Sequence, residues 1–297
     1  MTPLMLGLMV FLTSAERFDP TPDGPDTQLL QQKLMLKETL PTQKPWQKYT
    51  FLVGATHKAG THLLREVMCF AFDIMGARDS CMYPEFRGIG EGVTSTGVSD
   101  CNEMDAPIQY HQSVRSSVIL RLREEGPLRG VMTIRDPLDM VASGYVYHHR
   151  GAEPDFPFMP KNITQLSPAE GVPLMALYWL PIITAMTTAF EVKGNDVLAV
   201  RYETITNSSD SFNASVGEMV EFLFRGYMSP KQKQQILDAA SREDLHLHPT
   251  ASVSDDPSVT NHTSPPDDIT EAKEAWKFLG KDLQRTYHHL RTILGYV

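Results

Sequence analysis

The sequence predicts an α/β protein with three layers, α/β/α, around a central, mostly parallel sheet. From Tyr49 onward, short apolar runs alternate with segments of helical periodicity, and Gly or Pro marks the ends of several segments. Strands separated by helices need crossover connections, which make the sheet parallel and cover both of its faces. The chain has 297 residues, 41% of them apolar and 21% charged. These values are typical of a globular protein, and we predict a single domain over residues 48–297.

Each predicted strand is a short run of apolar residues. Each predicted helix has apolar residues at helical spacing or a residue that is typical of a helix start or end. The predicted strands are 49–53, 107–111, 130–134 and 196–201. The predicted helices are 60–75, stopped by Gly76; 113–125, ended by Gly126; one from Pro137 after the N-cap Asp136; one after the capping box Ser167–Glu170, with a kink at Pro181; and 215–225, 230–241 and 270–293.

The N-terminus resembles a targeting segment. Residues 3–12 are mostly apolar and precede small residues, so 1–15 is predicted to be a signal peptide or short anchor, the alternative being a buried or interfacial segment. Residues 16–47 are predicted to form a linker and a short helix. Four N-x-S/T sequons occur, at Asn162, Asn207, Asn213 and Asn261, where about one is expected by chance. Together these features favour the secretory pathway, in the Golgi lumen; a cytoplasmic location is the alternative.

Composition and spacing argue against several classes of function. A net charge of −9 disfavours nucleic-acid binding, which needs a basic surface. His148-His149 and His288-His289 are adjacent pairs whose rings diverge on a helix, and neither HExxH nor CxxC occurs, so no metal site is expected. The apolar stretch 172–190 is interpreted as a core helix rather than a membrane span. In a secretory setting Cys81 and Cys101 could close a loop, while Cys69 is predicted to be a buried apolar residue.

The first candidate site is the loop GATHKAGTH, residues 54–62, between a predicted strand and a helix. The start of a helix presents unpaired N–H groups and a positive dipole end to an anion. The loop differs from a Walker A motif, because Lys58 precedes Gly60 instead of following it. The alternative is a glycine-containing turn with a surface lysine.

The second candidate site is RDPLDMVAS, residues 135–143, after another predicted strand. A guanidinium offers a planar fork to phosphate oxygens, and a hydroxyl can donate to the same group, so Arg135 and Ser143 are candidates for a second anion site. The alternative is a solvated arginine and an unrelated helical serine.

Three segments resemble the sulfotransferases that use 3′-phosphoadenosine 5′-phosphosulfate (PAPS), both in their order along the chain and in their positions relative to the predicted strands. These enzymes have a P-loop NTPase-like fold. HKAGTHLL is similar to the loop of that family that holds the 5′-phosphosulfate; the resemblance implies nucleotide contacts from Lys58, Ala59, Gly60, Thr61 and His62, with Lys58 also catalytic. IRDPLDMVAS is similar to the 3′-phosphate segment, which implies contacts from Arg135 and Ser143. VLAVRYETI resembles a later strand whose tyrosine lies near the nucleotide, here Tyr202.

The resemblance implies direct transfer of a sulfuryl group from PAPS to a hydroxyl or amine, leaving PAP, with no metal. The catalytic base is His111, at a predicted strand end, or Glu85, by analogy with carbohydrate-modifying branches. Two features depart from the family: His62 replaces a threonine, and the basic segment that closes over the 3′-phosphate in cytosolic members is missing between 243 and 275.

The predicted function is therefore a PAPS-dependent sulfotransferase acting on a small-molecule or glycan acceptor. The alternatives are a nucleotide-dependent phosphotransferase and a catalytically inactive member that binds PAPS or PAP.

Overall fold

In the computed structural model, residues 43–77, 107–248 and 266–297 are described. The chain divides into two units, Met1–Leu40 and Pro41–Val297, and every described residue belongs to the second. The predicted signal segment and most of the predicted linker lie outside the described residues. So do Glu85, Cys81, Cys101 and Asn261.

Within residues 43–77, 107–248 and 266–297, four strands form one sheet in the order β2-β1-β3-β4, and every pairing is parallel. The strands are β1 (Thr50–Gly54), β2 (Ile108–His111), β3 (Leu128–Ile134) and β4 (Val197–Arg201). All four fall within a residue or two of the predicted runs, and the predicted α/β fold with a parallel sheet is confirmed.

Nine helices connect or follow the strands in the described part of the chain. They are α1 (Thr61–Ile74), α2 (Ser116–Glu125), α3 (Pro137–His149), α4 (Pro168–Val192), α5 (Tyr202–Ile205), α6 (Ser209–Phe224), α7 (Pro230–Ala240), α8 (Pro266–Glu274) and α9 (Lys281–Ile293). The prediction of one helix over 270–293 was wrong, because the chain leaves the helix after Glu274 and restarts with Gly280 as the N-cap of α9. Helix α6 starts earlier than predicted, because the Ser208 hydroxyl accepts from the Ser211 N–H and caps it.

Two hydrophobic cores cover the two faces of the sheet. Side chains alternate along β1: Phe51 and Val53 enter the core with α1, α6 and α7, whereas Leu52 enters the core with α2, α3, α4, α8 and α9. Helices therefore pack on both faces, which is the predicted three-layer arrangement. Cys69 is half-buried against the first of these cores, so its prediction as a buried apolar residue is met only in part.

Among the described residues, α4 is the one helix with the length and hydropathy of a membrane span. Half of its most apolar window is buried within the protein, and Trp179 on it is completely buried. The helix contributes to the core, as predicted, and it continues through Pro181.

The strand order places the candidate loops next to each other. From β1 the chain passes to β2 on one side, whereas β3 and β4 lie on the other side, so the order reverses between β1 and β3. Gly54 at the end of β1 pairs with Met132 on β3. The loops after these two strands therefore leave the same edge of the sheet as neighbours, the position where open α/β sheets bind ligands.

Candidate functional site

A tight turn carries the chain from β1 into α1. The Ala59 N–H donates to the Thr56 carbonyl at 2.7 Å, and the Thr61 hydroxyl donates to the same oxygen at 3.0 Å. Lys58 and Gly60 both have positive φ, 63° and 85°. Gly60 is the N-cap of α1 and has no side chain with which to cap it. No side chain of the N-cap residue therefore accepts a hydrogen bond from the first N–H groups of α1, so these groups can donate to an anion.

Close packing holds this turn in place. A Cβ on Gly60 would lie 2.7 Å from a ring carbon of Tyr202, and a Cβ on Gly54 would lie 1.9 Å from Val114. Ala59 is completely buried. The Tyr110 hydroxyl donates to the Thr61 carbonyl at 3.1 Å, which ties the start of α1 to β2. At both positions a side chain would collide with a neighbouring residue, so only glycine fits. At Gly60 the left-handed backbone conformation also favours glycine.

Lys58 points its amine at an aromatic ring. Its Nζ lies 3.7 Å from the centroid of the Tyr147 ring on α3, a cation–π contact. Burial, with smaller contributions from Arg135 and Arg150, lowers the pKa of Lys58 to about 7, and the Glu153 carboxylate opposes that shift. The sequence around Tyr147 does not predict this contact, since an aromatic residue in an apolar helix gives no local sign of it.

Arg135 joins Lys58 from the neighbouring loop. Its Nη1 donates to the Lys58 carbonyl at 2.6 Å, and its guanidinium lies 4.5 Å from the centroid of the Tyr202 ring. Its Nε is buried and has no hydrogen-bond acceptor among the described residues. A buried guanidinium donor without an acceptor costs free energy, so this position fits an anion such as a phosphate. Three predicted site residues, Lys58, Arg135 and Tyr202, thus come together around Gly60.

Side chains of the protein already occupy the start of α3. The Asp136 carboxylate accepts from the Leu138 N–H at 2.9 Å, and the Asp136 N–H donates to Glu203 at 2.9 Å. Ser143 lies further along α3 and is 5% exposed. Of the two helices that follow β1 and β3, α1 and not α3 has a start that no capping side chain occupies, so α1 is the one suited to an external anion.

The C-terminal helix α9 docks on the same edge, a feature that the sequence pattern does not predict. Arg291 forms a two-pronged ion pair with Asp136, with Nε–Oδ1 and Nη2–Oδ2 distances of 2.9 and 2.8 Å. Tyr296 donates to Glu203 at 2.8 Å, and Arg201 donates to the carbonyls of Leu294 and Gly295. No local motif marks these contacts, because they join residues 93 to 155 positions apart.

The two predicted histidines occupy different surroundings. His111 ends β2, pairs in register with Gly54, and places Nε2 3.3 Å from the Gln109 amide oxygen. Burial and then Arg121 lower its pKa to about 4. His62 lies in the first turn of α1, with Nε2 3.9 Å from a Glu66 oxygen, and burial lowers its pKa as well. His111 is therefore a neutral imidazole at physiological pH, able to accept a proton but weakly basic.

Comparison with known proteins assigns no family. No protein-family model matches the chain, and no curated protein matches it. Among solved structures, mouse sulfotransferase SULT7A1 complexed with PAP aligns with 86% of this chain and 90% of its own, at 14% sequence identity and a TM-score of 0.46. Similarity at this level assigns neither a family nor an activity to the chain.

Proposed function

We propose that the protein is a PAPS-dependent sulfotransferase. The observation that carries the proposal is the meeting of Lys58 and Arg135 at the uncapped start of α1, at the edge where the strand order reverses. Arg135, the protonated form of Lys58 and a helix N-terminus at one edge would together attract an anion. The buried Nε of Arg135, which lacks an acceptor among the described residues, supports a ligand with phosphate oxygens.

Each residue then has a role in transfer. PAPS would supply the sulfuryl group, whose bond to the 5′-phosphate breaks as the acceptor oxygen or nitrogen bonds to sulfur. Lys58 and the N–H groups of Gly60, Thr61 and His62 would stabilise the charge that develops on the departing phosphate. Arg135, with Ser143, would bind the 3′-phosphate, which distinguishes PAPS from ATP, and Tyr202 would position Arg135 through its ring, whose centroid lies 4.5 Å from the guanidinium carbon. In phosphoryl transfer, which is chemically related, positioning of the reactants and stabilisation of charge provide most of the rate acceleration.

We propose His111 as the base that takes the acceptor proton, with Glu85 as the alternative. His111 is the last residue of β2, the strand beside β1, so it lies at the same edge as the loop that contains Lys58. Its neutral form is the form that a general base requires.

Nucleotide binding tests the proposal first. A ligand at a hundredfold excess over its Kd raises the free energy of unfolding by about 2.7 kcal/mol. We expect PAP to raise the melting temperature and AMP, which lacks the 3′-phosphate, to have little effect. A larger shift with ATP and Mg²⁺ would instead favour a phosphotransferase. PAP binding without sulfate transfer from PAPS to any of a panel of alcohols, phenols and neutral glycans would favour an inactive binding member.

Two substitutions separate the roles of the cations. Lys58→Ala should lower turnover by about 10²-fold or more with a smaller effect on PAP affinity, because the amine acts mainly in the transition state. Arg135→Ala should weaken PAP binding by about 10- to 100-fold, the worth of a charged hydrogen bond. Lys161→Ala and Arg285→Ala are matched controls, because both residues are exposed. Normal sulfate transfer by both site variants would disprove the assignment of the site.

We also propose that the protein passes through the secretory pathway. The three sequon asparagines that the structure describes, Asn162, Asn207 and Asn213, are exposed, as glycan attachment requires. Expression in secreting eukaryotic cells followed by endoglycosidase treatment should lower the apparent mass, and Asn162→Gln should remove one glycan. An unchanged mass would favour the cytoplasmic alternative.

A further inference from the structure

Three potential metal ligands meet beside the candidate site. His57 lies in the loop after β1, His148 in the last turn of α3, and Glu153 in the turn that follows. The two Nε2 atoms are 3.4 Å apart, and His57 Nε2 is 3.7 Å from Glu153 Oε2. All three ligand atoms lie within 4.8 Å of one another. In a tetrahedral zinc site with bonds of about 2.0–2.1 Å, neighbouring ligand atoms lie about 3.3–3.4 Å apart. The histidine pair matches that separation, and the carboxylate is slightly farther away.

The surroundings orient His148 as a ligand. Its Nδ1 lies 2.9 Å from the Ala152 carbonyl oxygen. A carbonyl only accepts, so Nδ1 carries the proton, and Nε2 of the neutral ring presents its lone pair to His57. A backbone carbonyl on the far nitrogen is the usual support of a metal-bound histidine.

The carboxylate is oriented in the same way. The Tyr147 hydroxyl lies 3.3 Å from Glu153 Oε1, which leaves Oε2 as the oxygen near His57. Phe156 stacks on both imidazoles, with centroid distances of 4.4 Å to His57 and 5.1 Å to His148. The ring planes and the carboxylate are therefore held by neighbours that are not themselves ligands.

Exposure leaves a route for an ion. His148 is completely buried, whereas the side chains of His57 and Glu153 are 21% and 40% exposed. Glu153 also has a positive φ of 49°, an uncommon backbone conformation for a residue that is not glycine. Its carboxylate supplies the negative charge that a dication would need so close to Lys58.

We propose that His57, His148 and Glu153 bind one divalent cation of the zinc class. Two imidazoles and one carboxylate form a donor set that suits Zn²⁺ and Co²⁺ better than Mg²⁺ or Ca²⁺, which prefer oxygen ligands. Three protein ligands leave a fourth position for water or another oxygen ligand, as in catalytic zinc sites. The site goes beyond the proposed sulfate transfer and does not depend on it.

Metal titration tests the proposal directly. The full chain, purified without a histidine tag and treated with chelator, would be titrated with Co²⁺ and then with Zn²⁺. We expect one equivalent of Co²⁺ to bind with the intense visible absorption of a tetrahedral complex, and Zn²⁺ to abolish that absorption by displacement. Mg²⁺ at the same concentration should not displace Co²⁺.

Variants identify the ligands. His57→Ala and Glu153→Gln replace the partly buried and the exposed ligand and should each weaken Co²⁺ binding by about 100-fold or more, since loss of a supporting residue alone costs about 10- to 100-fold. Both avoid the buried His148, whose replacement could unfold the protein. The matched controls are His149→Ala, next to His148 on the same helix, and Asp155→Asn, an exposed acid in the same turn as Glu153. Both controls should keep the wild-type affinity.

Two results would overturn the proposal. One is the absence of stoichiometric Co²⁺ binding by the folded wild-type chain. The other is binding that His57→Ala and Glu153→Gln leave unchanged, which would place the ion elsewhere. In either case a single proton shared by the two imidazoles would account for their 3.4 Å separation.

Discussion

Gly60→Ala should damage both the stability of the fold and the proposed nucleotide site. Gly60 has φ of +85°, and a left-handed backbone costs an alanine about 1–2 kcal/mol. Reduced freedom of the unfolded chain offsets about 0.4–1 kcal/mol of that cost. The new methyl group would also lie 2.7 Å from the Tyr202 ring, and such overpacking costs about 1–3 kcal/mol. We therefore expect a total loss of about 1–5 kcal/mol, with a central value of about 3 kcal/mol, in the free energy of unfolding.

The chain offers a control with the same backbone strain and no steric contact. Gly226 has φ of +81°, and nothing lies within 4 Å of a Cβ built on it. Gly226→Ala should lose only about 1 kcal/mol, so the two variants should differ by about 2 kcal/mol. For a domain of this size that difference corresponds to roughly 4–8 °C in melting temperature. Differential scanning calorimetry of the two variants measures it.

The contact between the new methyl group and the Tyr202 ring should also affect ligand binding. Because Arg135 lies 4.5 Å from the Tyr202 ring centroid, a displaced ring should displace the guanidinium. Gly60→Ala should therefore weaken PAP binding, whereas Gly226→Ala should not. Equal melting temperatures and equal PAP affinities for the two variants would refute both the close packing of Tyr202 on Gly60 and its coupling to the proposed nucleotide site.

Three further predictions concern other parts of the molecule. Arg291→Ala should lower the free energy of unfolding, measured by urea denaturation, by about 2 kcal/mol, because it leaves the partly buried carboxylate of Asp136 without its ion pair. The control is Arg285→Ala, which removes an exposed ion pair and should change that free energy by under about 0.5 kcal/mol. Burial above all raises the pKa of Glu66 to about 7, so Glu66 contributes stability below about pH 4.5 that is lost as the pH rises toward 7. Glu66→Gln should therefore flatten the dependence of the urea midpoint on pH over that range, and an unaltered profile would contradict the burial argument. If His111 is the base, His111→Gln should lower kcat by about 10²-fold or more. The acid limb of the wild-type kcat/KM profile should then lie near pH 4, not near 6.5. Full activity of His111→Gln would instead favour Glu85 as the base.

Local signals accounted for most of the fold. The apolar runs at 49–53 and 130–134 became β1 and β3, and the N-cap Asp136 with Pro137 marked the start of α3 as expected. A strand or a helix start depends on side chains within a few residues of one another, so the sequence reveals it directly. The helix predicted over 270–293 failed for a related reason: its apolar spacing continues across the break before Gly280, and periodicity alone does not show where a chain restarts a helix.

The candidate site was predictable in its loops but not in its contacts. Lys58 and Arg135 were identified because each follows an apolar run that ends at a loop. Their contact through the Lys58 carbonyl, the Tyr147 ring over the amine, and the burial that lowers the pKa of the amine all depend on the pairing of β1 with β3.

The sequence alone was enough to establish the alternation of strands and helices, and with it a parallel sheet whose strand-ending loops lie at one edge. Only the tertiary structure decided which distant side chains meet there: Arg291 with Asp136, and His57 with His148, 91 positions apart. The reason is physical. Secondary structure follows from short-range periodicity and capping, whereas a site is assembled by strand order and helix packing, which bring together residues with no relation along the chain.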